Sequence, residues 1–271
     1  SVRICWGVGR LSWVPSPSWP KRLSPQVHRV LSVRMLRHLL PGEPILYLGD
    51  TARMPYGDRP AGEIDRLTGE LTGWLLRQNV KALIAACGTI SCNAGETLQQ
   101  LPVPCFDVVT AAAEAAAQAT RNGKVGLAAT SATIRSGRFT EEIERRTGQA
   151  VTAVPCPLLA PMIEHGAGPD DPALAAAVAE YCQPLLQSGV DTVVLGCTHY
   201  PLIAELFTRI LGPEVTLIDC AGEAAKAAAE AMKEQHLLAE GNDPAVTEYR
   251  FTALPPQAAR QTARRMLGED F

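Results

Sequence analysis

Two stretches of this chain bring chemistry-bearing residues to the end of an apolar run: "LIAACGTIS" (83–91) and "VVLGCTHYP" (193–201). Each run stops at a cysteine followed by small polar residues, Gly88 and Thr89 after Cys87, and Thr198 and His199 after Cys197. If both turns face one small ligand, a thiol lies on either side of it. That arrangement suits taking a proton from one face of a carbon and returning one to the other, as in racemisation at an amino-acid Cα. One sulfur acts as thiolate base and the other as thiol acid, with the roles exchanged in reverse. A free thiol ionises near about pH 8.5, so a thiolate at neutral pH needs help. His199, two residues beyond Cys197, is near enough to give it. Turn N–H groups and the hydroxyls of Thr89 and Thr198 suit a substrate carboxylate. Three other uses of these residues stay open. Buried cysteines often serve only as small hydrophobes. A zinc site from Cys87, Cys92, Cys197 and His199 lacks the tight local ligand pairs of structural sites. A single nucleophilic cysteine leaves the second thiol unexplained.

The elements that must position these turns alternate. From "PILYLGD" onward, short apolar runs of strand type are separated by stretches of helical spacing. In "AGEIDRLTGELTGWLLRQN" the residues Ile64, Leu67, Leu71, Trp74 and Leu75 share one side. "TAAAEAAAQATRNG" is a strong helix former closed by Gly123, and "SATIRSGRFTEEIERRTG" reads as one helix capped by Ser131. Residues 157–171 read as a loop before the helix "PALAAAVAEYCQPLLQSG". Alternation of this kind means βαβ units and a mostly parallel sheet, with ligands beyond the carboxyl ends of the strands. "VKALIAACGT" and "VDTVVLGCTH" occupy equivalent slots, so the expected fold is α/β: two similar flavodoxin-like lobes with the active site in the cleft between them. The expected division puts residues 1–105 with 219–271 in the first lobe and 106–218 in the second.

The whole chain narrows the function classes. Its 271 residues are 46% hydrophobic with a formal net charge of −3. That length can bury a real core, and the balance gives no argument for nucleic acid or a membrane surface as partner. No apolar run approaches the ~18–20 residues of a spanning helix. "SVRICWGVGR" has no apolar core of the kind a secretion signal needs. Eight cysteines without a Cys-x-x-Cys pair, in a chain with its own core, fit a reducing cytoplasmic compartment. His28, His38, His165 and His236 fall in loops or on polar helix faces and read as solvated.

Taken together, "GDTARMPYG" (49–57), "AACGTIS" (85–91) and "GCTHYP" (196–201) closely resemble the glutamate racemase family. "KVGLAATSATIRSG" (124–137) and "YRFTALPPQAARQTARRMLG" (249–268) agree in order and separation. The resemblance covers about residues 31 to 271. It implies an isomerase that interconverts L- and D-glutamate without pyridoxal phosphate or metal and supplies D-glutamate for peptidoglycan. It also implies a small-molecule substrate as the partner, with a homodimer as the assembly. Carried over by position, Cys87 and Cys197 are the acid/base thiols, with His199 beside the second. Tyr56, Gly57, Gly88, Thr89, Thr198 and His199 hold the substrate. Tyr56 and Gly57 read from the residues alone only as a turn.

The chain departs from that family in two places. Gly88 stands where the family usually has Asn, which keeps the backbone N–H and loses an amide side chain. The family's opening Asp-Ser-Gly motif finds its best match in "ICWGVGRLSWV", with Cys5 and Trp6 in the Asp and Ser positions. "SWVPSPSWPKRLSPQ" follows, with four prolines and four serines in fifteen residues, and reads as an irregular insertion. A shifted reading frame or real divergence would both produce such an opening. With Cys5 and Trp6 in place, turnover is expected to fall well below that of a relative carrying Asp and Ser, because gripping groups also orient the reacting carbon. A related racemase for another acidic amino acid such as aspartate, and a non-catalytic ligand-binding relative, are the alternatives.

Overall fold

The computed structural model describes residues 30–53, 56, 59–164, 166–239 and 246–253. Cys5, Trp6, His28, the Pro/Ser-rich run, Gly57, His165 and residues 254–271 lie outside the described residues.

Helix α1 (Val30–Leu39) leads into β1 (Ile45–Gly49), α2 (Ala61–Leu76) and β2 (Leu83–Ala85). The short helices α3 (Gly88–Asn93) and α4 (Gly95–Gln99) follow, then β3 (Cys105–Asp107) and α5 (Val108–Ala119). Next come β4 (Val125–Ala129), α6 (Ser131–Arg135), α7 (Arg138–Thr147), β5 (Thr152–Pro155), α8 (Leu159–Glu164) and α9 (Pro172–Ser188). Then β6 (Thr192–Leu195), a 3-10 turn (Tyr200–Ile203), α10 (Ala204–Leu211), β7 (Thr216–Asp219), α11 (Cys220–Glu234) and β8 (Thr247–Phe251) complete the order. Every described strand pair is parallel. In one lobe β1 pairs with β8 and β2 with β3; in the other the strands run in the order β5-β4-β6-β7. The expected α/β fold with parallel sheets is what the chain forms. β1, β4 and β6 are buried along their whole length, as helices on both faces of a parallel sheet require.

Alanine has a second purpose here besides helix propensity. Helix α5 buries Val108, Val109, Ala112, Ala113 and Ala116, and α11 buries Ala221, Ala224, Ala225, Ala228 and Ala229. Small side chains let α5 pack against α11 on one side and α7 on another, while α1 covers α11. The same apolar cluster takes in Tyr47 and Ile84 from one lobe and Leu127, Val194 and Ile218 from the other. The lobes therefore share a packed core, and the strand ends are held by it. Burying so many apolar groups at about 25 cal/mol per Å² is the main force holding the arrangement.

Several expectations from sequence are corrected. Helix α5 starts two residues before the alanine run, because the Asp107 carboxylate accepts from the N–H groups of Val109 and Thr110. It ends at Ala119, short of Gly123. The stretch 131–147 is two helices, split where Gly137 takes the left-handed conformation (φ 72°). Its cap is Thr130 rather than Ser131, since the Thr130 side chain accepts from Thr133 N–H. The expected loop after β5 contains α8. His38 and His236 are exposed, as read from the sequence.

Gly196, at the end of β6, has no room for a side chain. A Cβ there would lie 2.8 Å from Leu127 Cδ1 and 3.0 Å from Ala129 Cβ on β4. Gly196→Ala is expected to lower stability by about 1–3 kcal/mol through overpacking, seen as a reduced urea midpoint; an unchanged midpoint would contradict this packing.

Candidate active site

Both cysteines that end the apolar runs sit at carboxyl ends of parallel strands. Cys87 follows β2 and occupies the N-cap position of α3, and its carbonyl accepts from Ser91 N–H at 2.9 Å. Ser91 Oγ, fully buried, donates to Ala85 O at 3.1 Å and locks that helix onto the strand it leaves. Cys197 follows β6, and its carbonyl accepts from Tyr200 N–H at 3.0 Å as the 3-10 turn begins. Tyr200 is fully buried, donates its hydroxyl to Cys156 O at 3.0 Å and stacks on Phe207. Each turn is thus fixed by the core beneath it: Cys87 packs with β1, α2 and β2, and Cys197 with β6, α9 and α10.

The two turns nevertheless meet. A Cβ on Gly88 would lie 2.9 Å from the Gly196 carbonyl oxygen and 3.6 Å from Thr133 Oγ1. The residue after one thiol therefore lies against the residue before the other. Cys87, Cys197, Thr198 and His199 are all buried to within a tenth of full coverage, and Thr89 is half-buried. Cys197 Sγ lies 3.4 Å from His199 Nδ1, so the imidazole can take the thiol proton or donate to a thiolate. Tyr56 is buried in the same apolar cluster as Cys87 and is close enough to feel its charge. The structure sets the Cys87 turn against the Cys197 turn through Gly88 and Gly196, with His199 beside Cys197 and Tyr56 in the Cys87 cluster. Gly57 lies outside the described residues. The alternative zinc set does not assemble: among the described residues no three His, Cys, Asp or Glu side chains are grouped to hold a metal ion. Among them, too, no helix is long and apolar enough to cross a membrane.

Two groups went unread in the sequence. Asp50 ends β1 fully buried and accepts hydrogen bonds from Tyr56, Arg53 and Thr252. Arg138 reaches from α7 to Asp107 at 3.1 Å and lies over Gly95, beside the helices that follow Cys87. The only signal for Asp50 was its place at a strand end; nothing local marked Thr252 or Arg138.

No disulfide links the seven described cysteines. Burial pushes Cys92, Cys105, Cys156 and Cys182 each up to about 12, and full burial drives Cys220 well upward too. These five remain protonated at working pH and suit no acid/base role. Iodoacetamide at pH 8 is expected to leave the fully buried Cys156 and Cys182 unlabelled in the native protein and to modify both in urea. Native labelling at the unfolded rate would contradict the burial.

The family model described as "Asp/Glu/Hydantoin racemase" matches residues 31–228. A glutamate racemase from Syntrophus aciditrophicus is 40% identical over 242 residues, 88% of this chain and 88% of that protein. Among solved structures, a glutamate racemase isoform from Bacillus anthracis superposes with a TM-score of 0.84 at 27% identity, covering all of this chain and 95% of its own. A Francisella tularensis glutamate racemase in complex with D-glutamate gives 0.82 at 29% identity, covering 99% and 94%. The chain belongs to the Asp/Glu/hydantoin racemase family.

Proposed function

We propose that this protein is a glutamate racemase, a cytoplasmic isomerase that interconverts L- and D-glutamate without a cofactor and supplies D-glutamate for peptidoglycan. The observation that carries the reading is the abutment of the two thiol turns, with His199 against Cys197. The relatives' names supply the substrate.

In this reading Cys87 and Cys197 flank the glutamate Cα. The thiolate on one side takes the α-proton, and the electron pair left on carbon is drawn into the α-carboxylate. The thiol on the opposite side then delivers its proton to the other face, which inverts the centre. His199 holds the proton that Cys197 gives up and keeps that sulfur ready for either role. Gly88, Thr89 and Thr198 offer N–H and hydroxyl groups to the carboxylates, and Tyr56 with Gly57 closes the other end of the substrate. Hydrogen bonds aimed at the carboxylate count for most when charge builds on it in the transition state. Burial of both thiols excludes water from the transferred proton.

We take residues 1–105 with 219–271 as one lobe and 106–218 as the other, moving about hinges near 100–108 and 212–221 to admit substrate. Assembly as a homodimer belongs to the same reading. Cys5 and Trp6, where the family carries Asp and Ser, would hold turnover below that of a relative with the full motif.

Circular dichroism of L- and D-glutamate solutions tests the proposal. The unmodified chain should bring both to the same racemic end point with no added cofactor. Cys87→Ser and Cys197→Ser should each lose about 100-fold or more of that rate in both directions, the range expected for removing an acid/base group. Full activity in either variant would rule out the two-thiol reading.

A further inference from the structure

We infer that Asp50 is a positioning residue for substrate binding, anchoring Tyr56 from below and tying it to the end of β8 through Thr252. The inference rests on the racemase reading, in which Tyr56 faces the substrate. Asp50 is fully buried, and its carboxylate is surrounded by donors. Tyr56 Oη donates to Oδ2 at 2.5 Å, and Thr252 Oγ1 donates to Oδ1 at 2.6 Å. Arg53 Nε donates to both oxygens, at 3.0 and 2.8 Å, and its Nη1 reaches on to Glu70. Arg59 closes the network from the other side. Its Nη2 donates to Arg53 O at 2.6 Å, its guanidinium carbon lies 5.8 Å from the centre of the Tyr56 ring, and its N–H donates to Tyr56 O at 3.1 Å.

The far end of the network is 202 residues away in sequence. Thr252 accepts from Ala52 N–H at 3.0 Å, while Thr51 Oγ1 donates to Ala253 O at 2.5 Å and accepts from Ala253 N–H at 2.9 Å. The parallel pairing of β1 with β8 ends at Gly49 and Phe251, so these bonds continue the strand register into the turn that carries Tyr56.

The geometry assigns the phenol its role. A hydroxyl committed to a buried carboxylate is neither a proton carrier for the reaction nor a free donor to substrate. Burial, and then the bond to Asp50, raise the phenol's ionisation further out of the working range. What Tyr56 offers a substrate is its ring edge and its backbone, held where Asp50 fixes them. Asp50 therefore acts through Tyr56, and its loss leaves the buried Tyr56 hydroxyl without its acceptor and Arg53 with Glu70 alone.

The test uses Tyr56→Phe, Asp50→Asn, the double variant and Thr252→Val in the full chain. Tyr56→Phe and Asp50→Asn should each raise KM for glutamate about tenfold or more while kcat stays within about threefold. The double variant should be no worse than the poorer single one, as expected for residues acting as a unit. The pH profile of kcat should not move in Tyr56→Phe. Thr252→Val should shift KM in the same direction by a smaller factor. Hydrogen exchange at the Arg59 amide, followed by NMR without substrate, should accelerate in both Tyr56→Phe and Asp50→Asn. Unchanged Arg59 exchange, additive KM effects, or a kcat loss at constant KM would each overturn the inference. If Asp50→Asn does not fold, Tyr56→Phe and Thr252→Val retain both charges and decide it. An unmodified chain that does not racemise glutamate refutes the functional reading alone, and the amide exchange still judges the anchor.

Discussion

The constraint on which the site depends is the approach of Gly88 to the Gly196 carbonyl, a gap that leaves no space for a Cβ. It brings two strand-end thiol turns from different lobes into direct contact, and much of the rest of the structure exists to hold it. Parallel strands put both turns at carboxyl edges. Alanine faces on α5 and α11 let the lobes share one core, so neither turn can drift from the other without opening buried apolar surface. A side chain in place of Gly196 would press on Leu127 and Ala129 and move Cys197 with it.

Within that frame the seven described thiols divide by environment rather than by identity. Cys92, Cys105, Cys156, Cys182 and Cys220 are packed where burial keeps them protonated. Cys87 and Cys197 sit at strand ends against the opposite lobe, one beside Tyr56 and the other beside His199. The same residue type thus serves as packed filler in five places and, at Cys87 and Cys197, ends a strand where the two turns abut.

The parts of this architecture legible in the sequence were those with local causes. Period-3.6 spacing marked α2, whose Ile64, Leu67, Leu71 and Leu75 are buried while Trp74 is half-covered. Apolar runs ending in Cys87 and Cys197 marked the two turns, and resemblance supplied Tyr56 and Gly57. What escaped depends on partners distant in the chain or on one backbone angle. Asp50 looked like an ordinary turn residue because its partner Thr252 lies 202 positions on. The break between α6 and α7 turns on the left-handed conformation of Gly137, in a stretch whose composition otherwise favours one continuous helix. Asp107 reads as part of a strand until its side chain is seen capping α5 and receiving Arg138.

The central claim is that two thiols serve opposite faces of one carbon, and isotope placement tests it most directly. L-glutamate incubated with the protein in D2O, sampled after a small fraction has converted, should give D-glutamate carrying deuterium at Cα while the remaining L-glutamate keeps its protium. Two acid/base groups produce that pattern because the thiol that removes the proton is not the one that returns it. D-glutamate that retains the original proton at Cα would mean one group carries it across both faces, and would contradict the account.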